Sequence, residues 1–216
     1  MREFKILFVI ASVAWLAGCT VVFQGGRVSD KAKINELSQE LDELKEAKHI
    51  LDKRLSQEVR DKNVKLKMME KGLVITFLAD ILFDSGKSKI RTEAEPILDK
   101  VAAVLVEDVP ELKVGIEGHT DNEPIKFSNW KSNWELSTAR ALSVLHYLID
   151  QRKISPERLS AVGYGEYYPV ADNVSKENSK LNRRVEIVIL PRSHRIKELP
   201  KAPQGSVPNL IEENLK

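Results

Sequence analysis

A single cysteine, Cys19, stands among the 216 residues. No disulfide can form within one chain, and no zinc site can be built on cysteines. An excess of one charge is also missing: 34 Lys and Arg against 32 Asp and Glu leave a formal net charge of +2. Proteins that hold phosphate backbones show a clear basic excess, and no block of Lys and Arg with interleaved aromatics occurs here, so nucleic acid is not an expected partner. The four histidines, His49, His119, His146 and His194, are scattered without ligand spacing, and no metal is expected. Long hydrophobic runs are lacking as well. The longest, Ile6 to Ala17, has roughly a dozen residues, whereas a membrane-spanning helix needs about 20. No internal repeat is visible. What remains is 42% hydrophobic and 31% charged, a balance that suits a folded chain with a solvated surface, long enough for one good domain plus extras.

The first residues, Met1 to Lys5, carry net positive charge. A short apolar run and small residues follow, which is the pattern of a signal peptide over 1–18. The run ends Leu16-Ala17-Gly18-Cys19, which resembles the bacterial lipobox. That resemblance implies that the Cys19 thiol takes a diacylglyceryl group and that cleavage leaves an acylated N-terminus at Cys19. Several acyl chains together hold a protein to a membrane where one does not. The same resemblance to lipoproteins implies, from a residue other than aspartate at Thr20, the outer membrane, with the protein facing the periplasm.

Residues 19–29, with Gly25-Gly26, read as a linker. From 30 to 71 the chain is highly charged and lacks glycine and proline. Ile34, Leu37, Leu41, Leu44, Leu51 and Leu55 fall at spacings of three, four or seven, a heptad pattern. Lys48 interrupts it at a core position. This segment is expected to be a helical spacer, either a short coiled coil that offers a route to a homo-oligomer or one amphipathic helix packed on the domain that follows. About forty helical residues would span about 60 Å. Gly72 is expected to end the helix. Leu73 to Leu78 alternates as a strand. Thr92 and Glu95 have capping-box spacing, and Ala94, Ile97, Leu98, Val101 and Leu105 form an apolar helical stripe. Lys113 to Gly118 reads as a strand. Ser132 and Glu135 give a second capping-box signal before a helix over about 133–152, whose core face is Ala141, Val144, Leu145 and Leu148. Ser155-Pro156-Glu157 looks like a helix start. Leu159 to Val162 is a short strand and Arg184 to Leu190 a longer one. The order β-α-β-α-β-β predicts an α/β sandwich, a mixed sheet with helices on one side, over 72–191. The tail from 192 to 216, charged and proline-containing, is expected to be disordered.

Three segments carry polar residues that a core does not explain: Gly118-His119-Thr120-Asp121-Asn122 after a strand, Ser132 to Ala141 at a helix start, and Asn182-Arg183-Arg184 before the last strand. Ligands of open α/β sheets collect at such ends, where backbone polar groups are free. Asp121 and Arg140 facing one pocket would match an amino-acid head group, with its ammonium on the aspartate and its carboxylate on the arginine fork. Asn133, the free N–H groups of the helix start, and Arg183 or Arg184 could add contacts. Taken singly, each has a plainer explanation. Asp121-Asn122 is a common turn pair, Arg140 a common partner for a glutamate on its own helix, and His119 a residue that usually satisfies local backbone groups. Trp130 and Trp134 either stack on sugar or pack.

Together, GHTDN, SNWELS-x-ARA, GYGE-x-x-P and NRRVEI resemble the OmpA-like, peptidoglycan-binding domain over about residues 72–191. The resemblance implies non-covalent binding of the diaminopimelate residue of the peptidoglycan stem peptide. It puts Asp121 on the ammonium and Arg140 on the carboxylate. Thr120, Asn122, Asn133, Leu136 and Arg183 would line the pocket, with Asp84 a weaker candidate. The stretch from Glu123 to Trp130 is longer than in the shorter members, resembles that of the flagellar stator B-subunit and of some outer-membrane lipoproteins, and could cover the pocket. The leading expectation is therefore a lipid-anchored tether between outer membrane and peptidoglycan, with no turnover and no cofactor. Two alternatives are a stator-like subunit anchoring an ion channel, which needs a membrane span with an ionisable residue, and a peptidoglycan hydrolase, which needs a nucleophile, a metal or a carboxylate pair.

Overall fold

The structure, a computed structural model, describes residues 25–126 and 128–192, with side chains from residue 30 onward. The expected signal peptide, the lipidation site Cys19 and nearly all of the expected disordered tail lie outside the described residues. The chain divides into two compact units, 1–39 and 40–216. Helix α1 (Gly25–Arg54) crosses that boundary. In the first unit, the heptad residues Ile34 and Leu37 are exposed.

In the second unit the heptad residues divide. Leu41 is exposed, whereas Leu44, Leu51 and Leu55, joined by Ala47, are buried in the domain core. The C-terminal half of the pattern therefore serves docking onto the domain, the plainer of the two expected arrangements. The helix also stops earlier than expected. After Arg54 comes a short α2 (Ser56–Arg60), then strand β1 (Val64–Met69) where the sequence reading extends the helical spacer to Lys71. Val64-Lys65-Leu66-Lys67-Met68 has period two, with Val64 buried and Lys65 and Lys67 outward. In a charged segment, two alternating lysines are hard to tell from a solvated helix face. On a sheet edge they discourage pairing with another chain. β1 pairs antiparallel with β2 (Gly72–Leu78), so Gly72 starts a strand instead of breaking a helix.

The remaining elements are a one-turn helix α3 (Ala79–Leu82), α4 (Glu95–Glu107), β3 (Lys113–His119), α5 (Asn133–Asp150), β4 (Leu159–Gly163), α6 (Lys176–Asn182) and β5 (Arg184–Leu190). Thr92 does not cap α4. It opens a 3-10 turn, Thr92–Ala94, that leads into the helix. The sheet order is β1-β2-β5-β3-β4; β3 runs parallel to β4, and every other pairing is antiparallel. This is the expected α/β fold with a mixed sheet, gaining one strand at its start and a helix before its last strand. α6 escaped the sequence reading because it is short and polar. Its signal was Ser175, whose hydroxyl accepts from Asn178 N at 3.1 Å.

One sheet face, with Leu73, Ile75, Phe77, Val114, Ile116, Val185, Ile187 and Ile189, meets Leu98, Val101, Leu105, Ala141, Val144 and Leu148 of the helices in one core. Burial of such side chains, about 1.5–3 kcal/mol each, is the main stabilising force. Because β2 and β3 are both antiparallel to β5, their C-terminal ends and the start of β5 share one edge of the sheet.

Candidate functional site

That edge carries a cleft of about 570 Å³. Its lining includes Thr120, Asp121, Asn133, Leu136, Arg140, Arg183 and Asp84, seven of the eight binding residues read from the sequence. Asn122 is the exception: it is exposed and outside the lining.

The local folding explains the convergence. Ser132 caps α5, its hydroxyl accepting from Glu135 N at 3.4 Å, while Glu135 reaches back to accept from Lys131 N at 2.8 Å. The helix so started lies against the ends of β3 and β4. A Cβ built on Gly118 would stand 2.0 Å from Ser137 O, and one on Gly163 2.1 Å from Thr138 Oγ1. Only glycine permits backbones this close. The approach sets Asn133, Leu136 and Arg140, one helical face apart, beside Thr120 and Asp121.

The electrostatics are asymmetric. Arg140 is 4% exposed. Its Nε donates to Lys87 O at 3.0 Å, and its guanidinium carbon lies 5.3 Å from the centre of the Phe83 ring. Its two Nη groups make no hydrogen bond among the described residues. Burial lowers its pKa to about 10; Asp80 and Asp121 work against that fall and Arg183 adds to it, so it stays charged at neutral pH. Asp121 accepts from Arg183 Nη1 at 2.7 Å and from Glu123 N at 3.3 Å. The expected Asp121–Arg140 juxtaposition is thus a shared cleft and not a direct ion pair. Burial would lower the Arg183 pKa, yet its hydrogen bond to Asp121 and the nearby Asp80 raise it. Asn133 Nδ2 donates to Glu123 O at 3.0 Å and Glu166 Oε2 at 2.7 Å, which fixes the amide at the helix start. Asp84 is exposed and faces Lys87 at 3.3 Å.

Several lining residues were missed. Asp80 stands 3.7 Å from Arg183 Nη2, and Phe83 and Arg91 complete the walls. Asp80 sits in a one-turn helix and Phe83 at its end, where the sequence carries no motif. The stretch 123–126 and Ser128 do form one wall, and Trp130 Nε1, donating to Gly86 O at 2.8 Å, ties that stretch to the opposite loop.

On the other face of the sheet lies a second polar cluster that sequence spacing did not reveal, because its members come from different strands. Lys71 Nζ donates to Glu117 Oε2 at 2.6 Å and Glu186 Oε2 at 2.9 Å, and Arg184 Nε donates to Glu186 Oε1 at 2.6 Å. His119, expected to satisfy local backbone, instead stacks on Tyr164 at 5.1 Å, with Nε2 3.9 Å from Glu117. Glu117, His119 and Glu186 offer ligand atoms within 4.8 Å of one another, but Lys71 and Arg184 already pair both carboxylates, and the cluster acts as a brace. Burial pushes both glutamates up, and their basic and imidazole neighbours outweigh it and hold them low. Burial pushes His119 below its ordinary 6.5.

Groups held low in the folded state bind protons more readily when unfolded, so the stability they contribute is lost as pH falls. For His119 the loss starts near 6.5, and the glutamates add theirs below about 4.5. The urea midpoint is expected to fall from pH 7 to pH 5, and His119→Gln should flatten that limb. An unchanged slope in the variant would exclude His119 as its source.

Comparison with known proteins agrees with this architecture. A model of the OmpA family matches residues 82–183. The chain is 42% identical over 151 residues to Motility protein B of Bacillus subtilis (strain 168), covering 70% of this chain and 58% of that protein. It is 41% identical over 105 residues to outer membrane protein Omp38 of Acinetobacter baumannii (strain ATCC 17978), covering 49% of this chain and 28% of that protein. The chain therefore spans less than two thirds of the length of these curated relatives. Among solved structures, the cell wall anchor of the T6SS from Pseudomonas aeruginosa superposes with a TM-score of 0.60 at 33% identity, over 65% of this chain and 96% of that one. With that coverage, the family model and the shared fold in agreement, the chain belongs to the OmpA family.

Proposed function

We propose that the cleft binds peptidoglycan non-covalently, by holding the zwitterionic head of the diaminopimelate residue in a stem peptide. One observation carries the reading: a buried, charged guanidinium whose Nη groups have no protein acceptor among the described residues faces the same cleft as Asp121. A desolvated cation with no hydrogen-bonded anion is costly, and a carboxylate accepting two parallel N–H bonds from Arg140 would relieve that cost. The ammonium of the same head group would share Asp121 with Arg183. Asn133 and Leu136 would shape the floor, and Thr120 the side. No nucleophile or carboxylate pair enters this scheme; it is binding without turnover. The name of the Pseudomonas relative as a cell wall anchor is in keeping with it. The test is co-sedimentation with purified sacculi under competition. A stem peptide containing diaminopimelate should displace the protein, and displacement by sugar fragments but not by the peptide would overturn the reading.

The anchor at the other end admits two readings. In the first, Cys19 is acylated and the protein tethers the outer membrane to the wall from the periplasmic side. In the second, favoured by the 42% identity to Motility protein B, the chain is a stator-like subunit that fixes an ion channel to peptidoglycan. Among the described residues no helix is long and apolar enough to cross a membrane. We favour the lipid anchor, because the only cysteine of the sequence sits where a lipobox needs it. Mass analysis of the detergent-extracted protein should find a Cys19 N-terminus carrying acyl chains, absent in Cys19→Ser. An unmodified, uncleaved Cys19 would give the stator reading precedence.

A further inference from the structure

Two exposed aromatic side chains outside the core and the cleft lining meet each other. Trp134 is 46% exposed and Tyr167 61%. Lone exposed aromatics need no explanation, but these two are stacked, with ring centroids 5.1 Å apart and planes 23° from parallel. The scaffold that holds them is the wall of the cleft itself. Trp134 follows Asn133 in the first turn of α5, and Tyr167 follows Glu166 in the loop after β4. Asn133 Nδ2 donates to Glu166 Oε2 at 2.7 Å. The loop is fastened further by Gly165 N donating to Ser137 Oγ at 3.0 Å and by Thr120 N donating to Gly165 O at 2.9 Å. Each aromatic is therefore one residue removed from a side chain of the Asn133–Glu166 bond at the cleft.

The chemistry of the pair is specific. Stacked on one another, the two rings hold each other in place and leave an outer ring face free, a flat apolar surface offered at little cost in side-chain entropy. The indole N–H and the phenol O–H, which make no hydrogen bond among the described residues, give it a polar rim. A pyranose has the complementary shape, with C–H bonds on its faces and hydroxyls around its edge. We propose that Trp134 and Tyr167 form a stacking platform for a sugar ring of the glycan strand from which the bound stem peptide hangs. The proposal rests on the reading of the cleft above. A stem residue two or three positions from the sugar lies on the order of 10 Å from it along an extended peptide, and Trp134 is the residue next to Asn133 of the cleft lining.

The test compares two ligands by isothermal titration with the detergent-solubilised full chain: a disaccharide-peptide containing diaminopimelate, and the same peptide without sugar. Trp134→Ala and Tyr167→Ala should each bind the disaccharide-peptide roughly tenfold more weakly, about 1.4 kcal/mol, and the sugar-free peptide as the parent does. Trp134→Phe should recover part of the loss. Equal losses for both ligands, or none for either, would overturn the platform while leaving the cleft reading intact. If the parent protein binds neither ligand, the cleft reading fails and the platform with it. Thermal midpoints matching the parent separate a binding loss from a folding defect, since both side chains are outside the core.

Discussion

Arg140→Ala should lose binding to sacculi by about a hundredfold, near 3 kcal/mol, because a bidentate, charge-assisted contact in a desolvated site is of that size. Arg140→Lys should recover little of it. An ammonium is a point charge with no planar fork, and lysine also loses its charge readily on burial. Asp121→Asn should lose binding to a similar degree by a different route. It removes the anion that faces the ligand's ammonium and leaves Arg183 without its 2.7 Å partner, so an extra cation repels the ammonium. The measurement is co-sedimentation over a range of sacculus concentrations, with the urea midpoint of each variant taken alongside. Arg140 packs over Phe83, so its truncation also costs packing, and only binding measured on the folded fraction counts. Asn122→Ala serves as the contrast: this exposed residue lies outside the cleft lining and should bind as the parent does. Undiminished binding by both Arg140→Ala and Asp121→Asn would exclude the cleft as the binding site.

How much of this was legible in the sequence depends on how far each signal reaches along the chain. β2, β5 and α5 could be read because period and capping are local: Leu73, Ile75 and Phe77 alternate, and Ser132 stands three residues before Glu135. β1 was hidden because its alternation, Val64-Lys65-Leu66-Lys67, is embedded in a charged segment whose leucines suggest a continuous helix. The same leucines gave an ambiguous heptad, since the row that docks Leu44, Leu51 and Leu55 into the core continues into the exposed Ile34, Leu37 and Leu41. For the site, the four motifs brought Asp121, Asn133, Arg140 and Arg183 to one place, and the cleft contains all four. What they could not show was which charges meet. Asp121 chooses Arg183 over Arg140, and Asp80 enters from a one-turn helix; both depend on the packing of strand ends. The brace of Lys71, Glu117 and Glu186 was invisible for the same reason, its members lying 46 and 115 residues apart from Lys71 in sequence.

A large effect on the fold is expected at Gly118. It is the glycine of the GHTDN motif, and nothing in its sequence context separates a residue needed for a turn from one needed for close contact. In the structure it is the latter. Its missing Cβ would lie 2.0 Å from the backbone oxygen of Ser137 and 2.8 Å from the carbonyl carbon. The obstacle is the backbone of α5, which cannot rotate away as a side chain could. Gly118→Ala must therefore push α5 off the sheet, and overpacking of this kind costs about 3 kcal/mol. The thermal midpoint should drop by roughly 10 °C for a domain of this size. Gly115→Ala, on the same strand, is the control. There a Cβ would find Ser160 Oγ at 3.7 Å and Val188 at 3.9 Å, ordinary contacts, and the midpoint should move little. The two variants also separate stability from function. Because α5 carries Asn133, Leu136 and Arg140 into the cleft, Gly118→Ala should bind sacculi poorly even at temperatures where it is folded, whereas Gly115→Ala should bind normally. Equal midpoints for the two variants would show that α5 yields at no cost, and the close contact would then not be what holds Arg140 beside Asp121.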